Sequence, residues 1–527
     1  MPIVPARMPQ AATTPFQRFS FSGGLELTQP DHMLEPVYCR QADNVVMDVN
    51  GALTKRKGYK AFTASLATEA RTVQRVHFEG GADTLVVLNG PTPSTLTESG
   101  YTAISGATTI LPSDHVSTCI YRNFLFVASP GNTLQRWDGT TWFPYVAGTN
   151  MPTSYAKPKF IAVYNNHLVA ANFGDATPDR SAVLFCKLNG YDDAVTAGSW
   201  DTTTNLYWAG AGRGATEGIT GLVSFAGVLW MFTKNSIEYR VGSNPSTMVQ
   251  RTLSNGLGCV APDSIAIGAN GLFFLSEFGP CKIDLQRNLV RHHDSDTAMI
   301  YKPIEPMFTH LYPSGISTQI RANDDALQGA QGVVWKSRYM LAFPEVGATT
   351  NSRVLVWHDV YGGYTTFTMP VRKWCKYDSR TLLFWDYSGA CWRMFDGPSD
   401  NAENIPMEIE TTANSLDGDE MGRKQVLNVR VDVENQGTTG EMEVLVDGTV
   451  EPSMTFTIPQ SSPRFDNSVW GADYHDNSRA LVENWATDGL YGIRFAARIT
   501  SDDQKPFQLY GLEFHLNSDG KGQEDAV

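Results

Sequence analysis

The sequence predicts an all-β chain: a β-propeller of seven blades, or six, followed by a C-terminal β-sandwich. Three observations carry this. Between Val73 and Gly397 one unit recurs, in which a short apolar strand meets a polar turn and a second apolar strand follows with an aromatic near its end. Clear copies are Cys119-Ile-Tyr-Arg-Asn-Phe-Leu-Phe-Val127, Phe160-Ile-Ala-Val-Tyr-Asn-Asn-His-Leu-Val-Ala170, Leu222-Val-Ser-Phe-Ala-Gly-Val-Leu-Trp-Met-Phe232 and Val333-Val-Trp-Lys-Ser-Arg-Tyr-Met-Leu-Ala-Phe343. A hairpin period of roughly 40 to 50 residues is that of propeller blades, which cannot bury both faces alone and must stack about an axis. Secondly, aromatics, β-branched residues and glycine are frequent while helical periodicity is nearly absent. Thirdly, from Ile405 the pattern changes to longer strands of strict alternation, as in a sandwich.

Residues 1–70 read as a lead-in arm. Phe19-Ser-Phe-Ser-Gly-Gly-Leu-Glu-Leu27 alternates and then meets Pro30. Asn44-Val-Val-Met-Asp-Val49 and Gly51-Ala-Leu-Thr-Lys-Arg-Lys-Gly-Tyr59 form a predicted hairpin around Asn50-Gly51, a strong turn dipeptide. Residues 71–400 hold the blades, with units beginning near Val73, His115, Pro158, Gly218, Asp263, Gly332 and Arg372. The count falls to six if the weak first unit (Val76-His-Phe78, then Leu85-Val-Val-Leu88) belongs elsewhere. An insertion at about 293–330 breaks the rhythm, with a short helix predicted in Pro303–Leu311. Such an insertion on one face of a propeller is expected to be a partner contact or a tip loop.

Residues 401–527 form the acidic sandwich. Leu427, Val429, Val431 and Val433 mark one buried face, as do Met442, Val444 and Val446. Phe507 and Leu509 share a phase that switches to Leu512, Phe514 and Leu516, which predicts a bulge at Tyr510-Gly511. This segment holds 23 Asp and Glu against 9 Lys and Arg, the whole of the net charge of −14, while residues 1–400 hold 32 of each sign. Two readings fit: an acidic surface that keeps one domain soluble, or one that repels phosphate. No basic cluster exceeds Lys55-Arg56-Lys57, which disfavours sequence-specific nucleic-acid binding.

No run of about eighteen apolar residues is present to span a bilayer, and the N-terminus lacks the apolar core of a secretory signal. The seven cysteines are widely spaced without a Cys-x-x-Cys pair, and are expected as reduced, buried thiols of a protein made in a cytoplasm.

The chemical motifs are sparse. Trp137-Asp-Gly-Thr-Thr-Trp142 partly matches the Asp-box turn of sialidase propellers, yet Asp-Gly is above all a turn. Gly210–Gly218 is glycine-rich but lacks the Lys-Ser/Thr of a phosphate loop. His292, His293, Asp294 and Asp296 have ligand chemistry, although adjacent histidines on a strand point oppositely. Asp417-Gly-Asp419-Glu420 reads as a hairpin turn rather than a calcium loop. Gly-x-Ser-x-Gly is absent. No catalytic, cofactor or metal residue is assigned.

Phe21-Ser-Gly23-Gly24-Leu-Glu-Leu, then Asn44-Val, then Gly51-Ala-Leu-Thr-Lys-Arg56-Lys-Gly58-Tyr resembles the opening of tail proteins of short-tailed bacteriophages. Gly221–Tyr239 and Lys424–Glu434 also resemble that family. The family is the tail nozzle, or tail tubular protein B-like, group. The resemblance implies a non-enzymatic virion protein, a homohexameric ring below the portal and the tail adaptor (connector) protein. Genomic DNA would pass through it unbound, and fibres or spikes would dock near the junction. It makes Gly23, Gly24, Asn44, Arg56 and Gly58 fold and docking residues, and leaves Asp417, Asp419 and Glu420 as candidate acidic lumen residues. Two alternatives remain. One is a receptor- or glycan-binding propeller using Trp137, Trp142 and Trp357; the other is a propeller glycosidase with two facing carboxylates.

Overall fold

The computed structural model describes residues 16–48, 51–66, 68–79, 83–89, 92–110, 115–174, 179–188, 199–209, 217–291, 299–313, 320–416, 421–434, 439–451, 454–457, 479–484 and 490–516. Among them, seven blades circle one axis: 72–103, 117–144, 160–208, 221–254, 266–283, 331–368 and 373–394. The first strands of blades 1 to 4 and of blades 5 to 7 pack on their neighbours around the centre, blades 4 and 5 share an apolar core, and the first strand of blade 7 meets that of blade 1, closing the ring.

The physical reason is visible in the second strands. His167–Ala171, Val228–Phe232 and Leu272–Ser276 are buried along their whole length, so both faces of each blade need a neighbour. Apolar cores accordingly lie between consecutive blades. Phe126 and Leu134 of blade 2 join Leu168 and Leu184 of blade 3. Trp230 and Phe232 of blade 4 join Phe274 and Ile283 of blade 5. Val73 and Leu85 of blade 1 join Leu383 and Trp385 of blade 7.

The opening hairpins of blades 2, 3, 4 and 6 turn in two residues, both with positive φ: Arg122-Asn123, Asn165-Asn166, Ala226-Gly227 and Lys336-Ser337. These are the mirror-image turns whose twist matches paired strands. Asp138 braces the turn of its Trp-Asp-Gly motif by accepting from the backbone N–H groups of Thr140 (2.8 Å) and Thr141 (2.7 Å). That motif is a structural turn.

Blade 7 supplies three of its own strands, and its fourth is Tyr59–Thr63 from the arm. Among the described residues blade 5 has three strands. Its outer strand Gly279–Ile283 is covered by the insertion, where Tyr301, Ile304 and Phe308 close on Gly279. The described part of this insertion is therefore packing rather than a tip loop. Its helix is short, Pro306–Thr309, and Ile300, Ile304, Met307 and Phe308 are buried in the core shared with the sandwich.

The sandwich takes strands from both ends of the chain. One sheet runs Arg479–Asn484, Lys424–Glu434, Gln508–Leu516, Leu53–Lys55 and Val45–Met47, with Phe16–Phe19 and Leu490–Gly492 added. The other contains Met407–Thr411, Phe495–Ser501 and Thr439–Val446. Val429, Val431, Val433, Met442, Val444, Phe495 and Phe514 share one core. The bulge falls at Tyr510, as predicted, where Leu509 and Gly511 flank a register shift. A second shift between Val426 and Asn428 buries Val426 and leaves Leu427 exposed, against the simple alternation.

The arm is not a separate unit. Tyr38–Asp43 runs parallel to the last strand of blade 6 and antiparallel to Met407–Thr411, fusing blade and sandwich into one eleven-stranded sheet. A strand at a sheet edge carries unpaired N–H and C=O groups, so the arm is ordered by what it pairs with.

All seven cysteines are free, and six are buried. Burial pushes the Cys259, Cys281 and Cys375 thiols up to about 12. We expect the native protein to resist Ellman's reagent at pH 8, with all seven thiols reacting after denaturation.

Candidate functional site at the interdomain joint and propeller axis

The joint is built around Asn44, which follows the fused strand and holds a left-handed φ of 56°. Its amide nitrogen donates to the Pro406 carbonyl (2.7 Å). Its Oδ1 accepts from the Thr368 N–H (3.1 Å) and from Arg56 Nε (2.8 Å). One side chain thus ties blade 6, the entry to the sandwich and the arm. Arg56 is 2% exposed and clamps Asp400 with both terminal nitrogens, at 2.8 and 2.5 Å. Asp400 lies in the link between blade 7 and the sandwich, so this two-pronged pair fixes the link to the arm.

The motif glycines mark close approaches. Gly24 has φ +67°, and a Cβ there would stand 2.7 Å from the Tyr364 carbonyl oxygen. A Cβ on Gly23 would press on the Tyr38 ring at 2.5 Å. Gly58 exchanges backbone bonds with Gly397 and Asp396, and its missing Cβ makes room for the Ser399 carbonyl. Lys55 and Arg56 are both buried here, so the longest basic run of the sequence is largely withdrawn from solvent. Burial pushes the Lys55 ammonium down to about 8, against the pull of Asp503 and Asp502.

At the axis, Asp263 gathers groups from the inner edges of several blades. It accepts from Lys373 Nζ (2.8 Å) and from Gln331 Nε2 (3.0 Å), and His115 Nε2 stands 3.5 Å away. The His115 ring packs on Phe160 at 5.0 Å. Blades 2 and 5 lie across the ring from each other, so this cluster bridges the axis at that level. Burial alone would raise the Asp263 carboxyl, but Lys373 and His115 outweigh it and hold the group well below the usual carboxylate range.

A depressed carboxylate stabilises the fold above its unfolded value of about 4 and loses that contribution as pH falls through the native value. We therefore expect stability to fall more steeply below about pH 4 in the wild type than in Asp263→Asn, measured as denaturant midpoint against pH.

The same face carries two adjoining clefts that share Thr220 and Lys234. The first, of about 540 Å³, lies among blades 2, 3 and 4 and is lined by Lys157, Lys159, Arg180, Lys234, Glu217 and Phe173. The second, of about 640 Å³, lies against the insertion and is lined by Glu277, Phe278, Asp324 and Asp325 among others.

The structure brings Gly23, Gly24, Asn44, Arg56 and Gly58 to the joint, where their roles are in the fold. Trp137, Trp142 and Trp357 are 3%, 5% and 5% exposed, so they are core residues and offer no surface platform for a glycan. Asp417, Asp419, Glu420, His292, His293, Asp294 and Asp296 lie outside the described residues, as does most of Gly210–Gly218. Sequence reasoning marked His115 and Asp263 only as the starts of repeats, and missed Gln331 and Lys373 as their partners.

These features define a β-propeller fused through its N-terminal arm to a β-sandwich. No protein family and no curated protein matches the chain. Solved structures similar to it include BamB from Moraxella catarrhalis, at 9% identity and TM-score 0.35, covering 67% of this chain and 96% of that one. The WD40 propeller domain of Doa1 has 9% identity and TM-score 0.37, covering 64% and 96%. YCF48 bound to D1 peptide has 12% identity and TM-score 0.36, covering 64% and 94%.

Proposed function

We propose that this chain is a structural virion protein, a tail nozzle component of a short-tailed bacteriophage. Six copies form a ring around the DNA channel, hold the packaged genome and conduct it at ejection. The reading is carried by a coincidence at five residues. Gly23, Gly24, Asn44, Arg56 and Gly58 bear the resemblance to the nozzle family, and the same five build the joint that locks propeller to sandwich. A chain whose most specific motif fixes two domains against each other suits a part that bears load.

Identical subunits placed head to tail close into rings when the rotation between them closes. In this reading the sandwich meets the adaptor, fibres or spikes dock near the junction, and assembly occurs in the host bacterial cytoplasm. The protein catalyses nothing and holds no cofactor. The excess acids of residues 401–527 keep passing phosphates from sticking, so the channel holds DNA without binding it.

Gold-labelled antibody against this chain, applied to virions of the phage that encodes it, tests the reading by electron microscopy. The account expects label on the short tail beneath the head. Label on the capsid shell or on remote fibre tips would refute it. A second reading, a glycan-binding propeller at the tail tip, is favoured by one observation, the basic cleft of blades 2 to 4.

A further inference from the structure

We propose that the cleft among blades 2, 3 and 4 is a binding site for an acidic saccharide, a sugar unit bearing one carboxylate or one phosphate. It deepens the second reading above and does not depend on the ring. Its basis is charge first. Lys157, Lys159, Arg180 and Lys234 line one cavity, against the single carboxylate of Glu217. Glu217 is itself engaged, accepting from Thr233 Oγ1 (2.6 Å) and Asn235 Nδ2 (3.0 Å). Residues 1–400 balance their charges, so four cations in one cavity depart from the background of that region.

One donor here is also unmet. Arg180 Nε is buried, and no acceptor reaches it among the described residues. A buried donor without an acceptor is costly, and an oxyanion would satisfy it with a charge-assisted bond.

Size and surroundings narrow the class. A cleft of about 540 Å³ falls within the range of small-ligand sites and has room for a sugar unit. Past Thr220 and Lys234 the adjoining cleft turns acidic, with Glu277, Asp324 and Asp325. A continuous polyanion such as DNA would meet like charge there. Sugar hydroxyls would find acceptors instead. The pairing of a cationic pocket with a carboxylate-lined extension therefore favours a molecule with one anionic group and many hydroxyls.

Saturation-transfer NMR on the full chain tests this with glucuronate, glucose 6-phosphate, neutral glucose and a short DNA duplex as probes. At least one acidic sugar should give transfer and glucose should give none. Transfer to glucuronate alone assigns the carboxylate source, and transfer to glucose 6-phosphate alone assigns the phosphate source. Lys159→Gln/Lys234→Gln should weaken the acidic sugar by about tenfold or more, while Lys336→Gln on the opposite turn leaves it unchanged. If the double variant fails to fold by circular dichroism, Lys157→Gln alone should still weaken binding. Absence of transfer to both acidic sugars, equal binding by wild type and variants, or displacement of the sugars by duplex DNA would each overturn the proposal. None of these outcomes bears on where the protein sits in a virion.

Discussion

Replacing Arg56 by Ala is expected to lower the unfolding free energy by about 3–5 kcal/mol, the cost of leaving a buried charge without its partner. Arg56 is 2% exposed and the Asp400 side chain 12%, so little water can take over the lost bonds. The change removes two bonds to Asp400 and one to Asn44 Oδ1, which then also loses part of its hold on Thr368. Arg56→Lys should recover only part of the loss, since an ammonium cannot grip both carboxylate oxygens in one plane. Arg56→Met combined with Asp400→Leu should be less damaging than Arg56→Ala, because no charge is then stranded. Urea unfolding of the four proteins measures this. Equal stability of Arg56→Ala and wild type would mean the pair is ornamental.

Gly58→Ala is the second large effect, on the order of 3 kcal/mol, at the upper end of what overpacking costs. The added methyl would overlap the backbone carbonyl of Ser399, which has no rotamer by which to yield. Gly58 immediately precedes the strand Tyr59–Thr63 that completes blade 7, so the strain falls on ring closure. Tyr59 packs edge-on against Phe384 (5.0 Å) and Trp392 (5.2 Å), and those contacts should loosen together. Gly256→Ala, where an added Cβ meets nothing, should change stability by no more than about 0.5 kcal/mol. Near-UV circular dichroism of the two variants should show the aromatic change in the first alone.

The blades were legible because their signal is local. A strand, a two-residue turn and a second strand lie within a dozen residues, and Asn165-Asn166 or Ala226-Gly227 announce the turn. The joint was legible as a motif but not as a joint. Asn44 meets Thr368 and Arg56 meets Asp400, each more than 300 positions away, and no periodicity reports such a pairing. The arm therefore read as a lead-in, when its strands belong to blade 7, the sandwich and the sheet between them.

The insertion misled for a related reason. Its apolar residues were visible, but only their packing against the outer strand of blade 5 and the shared core explains why Ile304 and Phe308 turn inward. Trp137, Trp142 and Trp357 could not be placed as core or surface until the strands bearing them had neighbours. The basic cleft draws Lys157, Arg180 and Lys234 from separate loops of the ring, so it has no linear signature.

The claim on which the account rests is that the arm makes propeller and sandwich one mechanical body. Native-state hydrogen exchange of Tyr38–Asp43, Leu53–Lys55 and Tyr59–Thr63 tests it most directly, because each strand pairs with a different part of the molecule. The account predicts that their amides exchange as slowly as those of Arg338–Phe343 and Phe495–Ser501, by opening of the whole. Fast exchange of the arm, while blades and sandwich stay protected, would contradict it.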